Sequence, residues 1–212
     1  ECLLINVGKN QGFHCVPQDE INALLVQYAQ THNNIVRLKG GDPYVFGRGA
    51  EEVEDLVETG IPFEVVPGIS STIGGLTYAG IPVTHRDFAS GFHVVTGHTR
   101  EGNQQQDWRQ LAKLNGTLVI VMGIANLAFI CEELLMGGKS ADTPAALVMS
   151  ATRDNQRRLT CTLGSLLGKA QEANILPPAL IVIGDVVTLS DRLSFIPEAI
   201  TLPENLYCDS LA

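Results

Sequence analysis

The stretch Leu38-Lys39-Gly40-Gly41-Asp42-Pro43-Tyr44-Val45-Phe46-Gly47-Arg48-Gly49 concentrates residue types able to hold a small ligand. Two adjacent glycines let a ligand approach the backbone where any Cβ would collide. Asp42 adds a carboxylate that can accept from a ribose hydroxyl or lie near a cation, and Pro43 fixes the chain directly behind it. Ile35, Val36 and Leu38 precede the glycines and a helix-forming run follows. The segment therefore reads as strand, tight loop and helix, the arrangement in which open α/β sheets bind ligands at the carboxyl ends of their strands. Over residues 40–43 alone an ordinary strand-to-helix turn reads equally well. The longer string through Gly49 is what sets the segment apart.

The elements that must position this loop follow from periodicity. Residues 2–7 read as a short apolar strand. Pro17-Gln18-Asp19-Glu20 opens a helix, with acids in its first turn and Ile21, Leu24, Leu25, Tyr28 and Ala29 at helical spacing. Residues 35–39 form the next strand. Residues 51–58 form a helix with Val53, Leu56 and Val57 on one face, ended by Gly60. Residues 63–66 are a strand stopped by Pro67-Gly68, and residues 70–79 a helix with Ser70 as its N-cap. This alternation predicts a mainly parallel sheet.

A second run begins with a strand at 92–96, a polar glutamine-rich loop at 101–107 and a short helix at 108–114. Strands at 117–122 and 145–150 flank a helix at 127–136. A strand at 157–163, a helix at 165–173 and a long apolar strand at 179–187 follow. Two strands in succession, 145–150 and 157–163, predict an antiparallel pair and hence a mixed sheet. The expected lobes are residues 1–90 and 91–196, followed by a tail at 197–212. No repeat and no low-complexity segment occurs.

The chain has 212 residues, 45% apolar and 17% charged, enough for one large or two small α/β bodies with adequate cores. No apolar run reaches the roughly 18 residues of a membrane span, and no basic segment leads an apolar one at the N-terminus. The reading is a soluble protein without a membrane partner. Five cysteines, at 2, 15, 131, 161 and 208, form no C-x-x-C pair, which fits a reducing, cytoplasmic setting. The histidines at 14, 32, 85, 93 and 98 lack ligand spacing, so no metal is expected. A net charge of −9 argues against nucleic acid. It allows an anionic small substrate only where local cations override the global field.

The glycine-rich string resembles the signature of the uroporphyrinogen-III C-methyltransferases, within the tetrapyrrole methylase family. Matching segments recur in the family's order: Ile5-Asn6-Val7-Gly8-Lys9, Val66-Pro67-Gly68-Ile69, Tyr78-Ala79-Gly80-Ile81-Pro82-Val83-Thr84-His85-Arg86-Asp87, Val95-Thr96-Gly97-His98 and Pro178-Ala179-Leu180-Ile181-Val182. The resemblance implies two α/β lobes, a mainly parallel N-terminal sheet and a mixed C-terminal one, joined near residues 88–91 with the cofactor in the cleft between them. It also implies a homodimer. The family's G-x-G-P-G-D opening has no counterpart here, so the chain is expected to lack its N-terminal segment, together with the family's proton-accepting aspartate. In siroheme synthases the same methylase follows a dehydrogenase and ferrochelatase module.

The implied reaction moves methyl groups from S-adenosylmethionine to carbons 2 and 7 of uroporphyrinogen III, giving precorrin-2 and S-adenosylhomocysteine without a metal. Catalysis then rests on orientation and on proton management at the ring. By resemblance Gly40, Gly41, Asp42 and Val45 meet the cofactor's ribose and methionine portions. Ser70 and Ser71 stand where the family has a Thr-Ala pair; small residues at a helix N-terminus can offer N–H groups to a carboxylate, and a plain N-cap reads the same way. Met122 matches a methionine against the adenine, though core filling is the commoner use of methionine. Ala151 and Ala179 match small positions beside the adenine.

Lys9 matches a proton-donating lysine, catalytic by resemblance, while a loop lysine is by itself a solvated charge. The substrate carries eight carboxylates, so cations must line its site. Arg48, His85 and Arg86 are the candidates carried forward, with His98 and Arg100 in nearby loops. An Arg86–Asp87 pair or cap is the structural alternative. Another tetrapyrrole or precorrin methyltransferase, or a catalytically incomplete fragment that binds cofactor, are the competing functions. A nucleotide-phosphate enzyme is disfavoured by the absence of G-x₄-G-K-[ST] and G-x-G-x-x-G loops.

Overall fold

The computed structural model describes residues 2–8, 16–98 and 106–195. Packing divides the chain into two compact units at Ile69/Ser70. That division falls earlier than the join expected near residues 88–91.

The first unit is built on α1 (Gln18–Ala29) and α2 (Gly49–Glu58). Pro17, extended at φ −58°, precedes α1, and acids in both first turns complement the helix dipoles. The helices pack on each other. The face expected of α2 is corrected by the structure: Val57 is 60% exposed while Glu52 is buried. A salt-bridged carboxylate, described below, takes the inward position.

The mainly parallel sheet expected in this unit is not formed among the described residues. Residues 2–8, 34–39 and 61–69 form no helix and no strand and have no ladder partners. Leu4, Val36 and Leu38 are left 74%, 85% and 83% exposed. A strand exists only when a neighbour takes its N–H and C=O groups in register. Two of these segments are tied by side chains instead: residues 34–39 through Arg37 and Lys39 to Glu52, and residues 61–69 through Gly68 to Asp42.

The second unit is a five-stranded mixed sheet ordered β1-β2-β5-β3-β4. The strands are β1 (Phe92–Thr96), β2 (Thr117–Val121), β3 (Pro144–Met149), β4 (Arg157–Thr162) and β5 (Ala179–Ile183). β1 and β2 are parallel; all other neighbours are antiparallel, including the expected β3–β4 pair. Around it lie α3 (Ser71–Tyr78), α4 (Trp108–Leu111), α5 (Leu127–Met136), α6 (Leu166–Glu172) and α7 (Ser190–Leu193).

Side chains alternate across the strands, and both faces are covered. Leu118, Ile120, Leu147, Ile181 and Ile183 join Trp108, Ile130, Leu134 and Leu166 in one core. Val119, Val121, Ala146, Val148, Leu180 and Val182 join Leu76, Ala79, Ile81 and Ala89 in the other. The second core claims α3, which is why packing divides the chain before Ser70. β5 ends at Ile183, short of the strand expected over residues 179–187. Gly184 turns the chain at φ 146°, a region closed to residues with a Cβ, and a 3-10 helix (Asp185–Leu189) follows.

Candidate functional site

In the first unit, Gly40 presents open backbone, and Gly41 beside it packs against Gly68. A Cβ on Gly40 would meet nothing within 4 Å, and Gly41 sits at φ 133°. Both oxygens of Asp42 are engaged by main chain: Oδ1 accepts from Tyr44 N–H at 2.9 Å and Oδ2 from Gly68 N–H at 3.1 Å. Gly49 N–H donates to the Pro43 carbonyl at 2.9 Å and closes the loop onto α2. Tyr44, Val45 and Phe46 are exposed, and Phe46 and Arg48 hold left-handed backbone at φ 53° and 57°. Non-glycine residues seldom adopt that region, and it recurs where a loop is shaped for a ligand.

Glu52 anchors both flanks of this loop. Its Oε1 accepts from Lys39 Nζ at 2.7 Å, Arg37 Nη2 at 3.1 Å and Gln18 Nε2 at 3.1 Å. Gln18 in turn donates to Asn22 Oδ1 at 2.9 Å. The two cations immediately before Gly40 are thus tied to the helix that follows Gly49. Sequence reading missed Glu52, because four acids in residues 51–55 look alike without knowing which faces inward.

In the second unit the register gathers several expected residues at one end of the sheet. Met149 pairs with Ala179 across β3 and β5. Ile120 pairs with Ile181 across β2 and β5, so Met122, just past the end of β2, and Ala179, at the start of β5, belong to the same end of the sheet. Met122 is 54% exposed at φ 53°; it is not the core filler that burial would make it. Ala151 sits in a turn between Ser150 and Thr152, both left-handed at φ 49° and 68°. A Cβ on Gly75 of α3 would lie 2.9 Å from the Ala151 Cβ and 3.1 Å from Leu180 Cδ1, so α3 seats closely on this turn. Ser70 caps α3 as expected: its Oγ accepts from Thr72 N–H at 3.3 Å and lies 2.9 Å from Thr72 Oγ1. Ser71 opens the helix and is exposed.

The cationic candidates separate. Arg48 is held by Glu51 through Nε–Oε1 at 2.9 Å and a second bond from Nη2 to Oε2. That pairing raises its pKa above the ordinary guanidinium value. His85 belongs to a tight turn in which its N–H and carbonyl pair with those of Ala89, both at 2.9 Å. Its Nδ1 accepts from Asp87 N–H at 3.1 Å and its ring stacks edgewise on Phe88 at 5.0 Å. Arg86 is exposed in that turn and makes no ion pair among the described residues. Lys9, Arg100 and the tail at 197–212 lie outside the described residues, whereas His98 is exposed at the end of β1. Among the described residues no group of three or more His, Cys, Asp or Glu could hold a metal ion, and no helix is long and apolar enough to cross a membrane.

An open glycine backbone in one unit and a left-handed turn at a sheet end in the other are the features of a small-ligand-binding α/β protein. Comparison with known proteins gives the family. The chain belongs to the tetrapyrrole (corrin/porphyrin) methylases, whose match spans residues 4–167. The porphyrin biosynthesis protein HemD of Ruminiclostridium josui is 49% identical over 192 residues, 90% of this chain and 38% of that protein. The siroheme synthase of Stutzerimonas stutzeri (strain A1501) is 47% identical over 191 residues, 90% of this chain and 41% of that protein. The chain thus spans well under half the length of the curated relatives it matches.

Among solved structures, the uroporphyrin-III C-methyl transferase from Thermus thermophilus, complexed with S-adenyl homocysteine, superposes with TM-score 0.70 at 42% identity. That match covers 81% of this chain and 74% of that one. A cobalt precorrin-4 methyltransferase shares the fold at 22% identity and TM-score 0.73, over 84% of this chain and 73% of that one.

Proposed function

We propose that this chain is the methylating part of a uroporphyrinogen-III C-methyltransferase, transferring methyl groups from S-adenosylmethionine to carbons 2 and 7 to give precorrin-2. Family membership and the resemblance of the Thermus relative support the reaction class. The observation that carries the site is the exposed, unobstructed backbone at Gly40 beside the double-anchored Asp42. When bound, the cofactor supplies an electrophilic methyl group on a sulfonium.

The residues fit that cofactor. Gly40 and Gly41 admit close approach of a ligand to the main chain, and Val45 offers an apolar contact next to them. Asp42, with both oxygens already accepting once, has lone pairs left for a hydroxyl, since a carboxylate offers about four acceptor sites. In the second unit Ser70 and Ser71 place small polar groups at the start of α3, suited to a carboxylate. Met122, Ala151 and Ala179 offer an apolar wall of low relief, suited to a flat base. Arg86 takes a substrate carboxylate, supported by His85; Arg48 contributes less because Glu51 already holds it. Lys9 is the proton donor by resemblance. A cytoplasmic setting and a homodimer complete the reading, the first from the cysteine pattern and the second from the family.

Isothermal titration of S-adenosylhomocysteine into this chain tests it, with Gly40→Val as the control. A Cβ at Gly40 would meet no protein atom within 4 Å, so the substitution is expected to keep the fold while blocking the ligand's approach. Binding that is lost in the variant at unchanged melting temperature is the expected result. A variant that binds as well as the parent chain overturns the assignment of the loop.

A further inference from the structure

Gln156 stands just before β4 and bridges two elements of the second unit. Its Oε1 accepts the Thr152 N–H at 2.7 Å, and its Nε2 donates to the Tyr78 carbonyl at 3.1 Å. The first bond holds the turn at residues 150–152, where Ser150 and Thr152 adopt left-handed backbone that residues with a Cβ disfavour. The second holds the C-terminal end of α3, whose Gly75 lies against Ala151. Ser150 N–H donates to the Pro178 carbonyl at 2.9 Å, which ties the other side of the turn to the residue before Ala179.

Two residues further on, strand alternation puts Arg158 on the same side. Its Nη1 donates to the carbonyls of Ala79 and Ser190, each at 2.8 Å, and its Nη2 bonds Asp191. Gln156 and Arg158 therefore both grip the end of α3, but only Gln156 also holds the turn that carries Ala151.

We propose that Gln156 is a positioning residue for cofactor affinity: it fixes the spacing between the Ala151 turn and α3, and so the width available to an adenine base beside Ala151. The inference rests on the cofactor reading given above. Without the Gln156 amide, Thr152 loses the partner of its N–H and the turn is free to relax toward right-handed backbone. Arg158, which touches no part of the turn, governs the seating of α3 and α7 alone.

Titration of S-adenosylhomocysteine into the chain and its Gln156→Ala, Gln156→Glu and Arg158→Ala variants, with melting temperatures, separates the two roles. Gln156→Ala, which removes both hydrogen bonds, is expected to weaken binding on the order of tenfold, with a smaller fall in melting temperature than Arg158→Ala. Gln156→Glu, which keeps the acceptor for Thr152 and loses the donor for Tyr78, should fall between. Arg158→Ala should show the reverse pattern, a lowered melting temperature with a smaller loss of affinity. Equal affinity of parent and Gln156→Ala overturns the inference. If the parent chain itself binds nothing, the cofactor reading fails and the affinity role falls with it. Amide exchange tests the geometric premise separately: exchange at Thr152 that is no faster in Gln156→Ala shows that Gln156 does not hold the turn and overturns the inference.

Discussion

The carboxylate of Asp42 clasps the amide of Gly68 across the first unit, with Oδ2 accepting its N–H at 3.1 Å while Oδ1 holds Tyr44 N–H at 2.9 Å. The approach at this point is so close that a Cβ on Gly68 would lie 2.5 Å from the Gly41 carbonyl oxygen. Asp42 therefore fastens the glycine loop to the Pro67-Gly68 segment, a role that a ribose contact alone would not require.

Asp42→Asn should accordingly lose both binding and loop order. An amide can accept from only one of the two N–H groups and turns its NH₂ toward the other. A cost of about 1–2 kcal/mol in unfolding free energy is expected together with at least tenfold weaker S-adenosylhomocysteine binding. Weaker binding with unaltered stability would show that the clasp contributes nothing to the fold.

Glu52→Gln should be the most damaging conservative change in the first unit. Lys39, Arg37 and Gln18 all converge on one oxygen of a carboxylate whose side chain is 5% exposed. Neutralising it leaves two cations without their partner, a loss of about 3 kcal/mol. Glu51→Gln, at a half-exposed pair with Arg48, should cost under about 1 kcal/mol. Chemical denaturation of the two variants gives the comparison, and similar midpoints would refute it.

Much of the second unit was legible in the sequence because β2, β5 and β3 are buried on both faces, which writes them as unbroken apolar runs such as residues 117–121 and 179–183. Residues 2–7, 35–39 and 63–66 carry the same signal, yet apolar character states only that a segment seeks a partner and not that one is present. Glu52 was hidden because burial of a charge depends on cations 13 and 15 residues away. The Ser70 cap was visible because it needs only its own neighbours.

A glycine in the middle of a helix is normally improved by alanine, by roughly 0.5–1 kcal/mol. Gly75→Ala should instead destabilise by about 1–3 kcal/mol, because the new methyl would sit 2.9 Å from the Ala151 Cβ. Adding Ala151→Gly should recover most of that loss. Thermal unfolding of the single and double variants settles the point, and additive effects would exclude the contact.

Burial pushes the Cys131 thiol from 9.0 up to about 11. The native state keeps its proton where the unfolded chain has released it, so the stabilisation is complete below pH 9 and declines as pH rises from 9 toward about 11. Cys131→Ala should flatten that decline relative to the parent. Cys161, also raised by burial, remains in both proteins. Parallel stability–pH curves for the two would contradict the assignment.

Arg86→Ala should raise KM for the tetrapyrrole on the order of tenfold. Arg48→Ala should raise it by less than about threefold, because its guanidinium is committed to Glu51. Steady-state kinetics on an active form of the enzyme would reveal the order, and the reverse order would transfer the substrate contact to Arg48.

The pairing of Met149 with Ala179, and of Ile181 with Ile120, means that the small wall at the sheet's end is written in hydrogen-bond alignment as much as in residue identity. Were β5 to shift by a single step, Leu180 would stand where the alanine does, and every inward side chain of the strand would face the opposite core. If the proposed cofactor reading holds, insertions or deletions inside β2, β3 or β5 should thus abolish S-adenosylhomocysteine binding even where Met122, Ala151 and Ala179 are all retained, while loops elsewhere can drift in length without that effect.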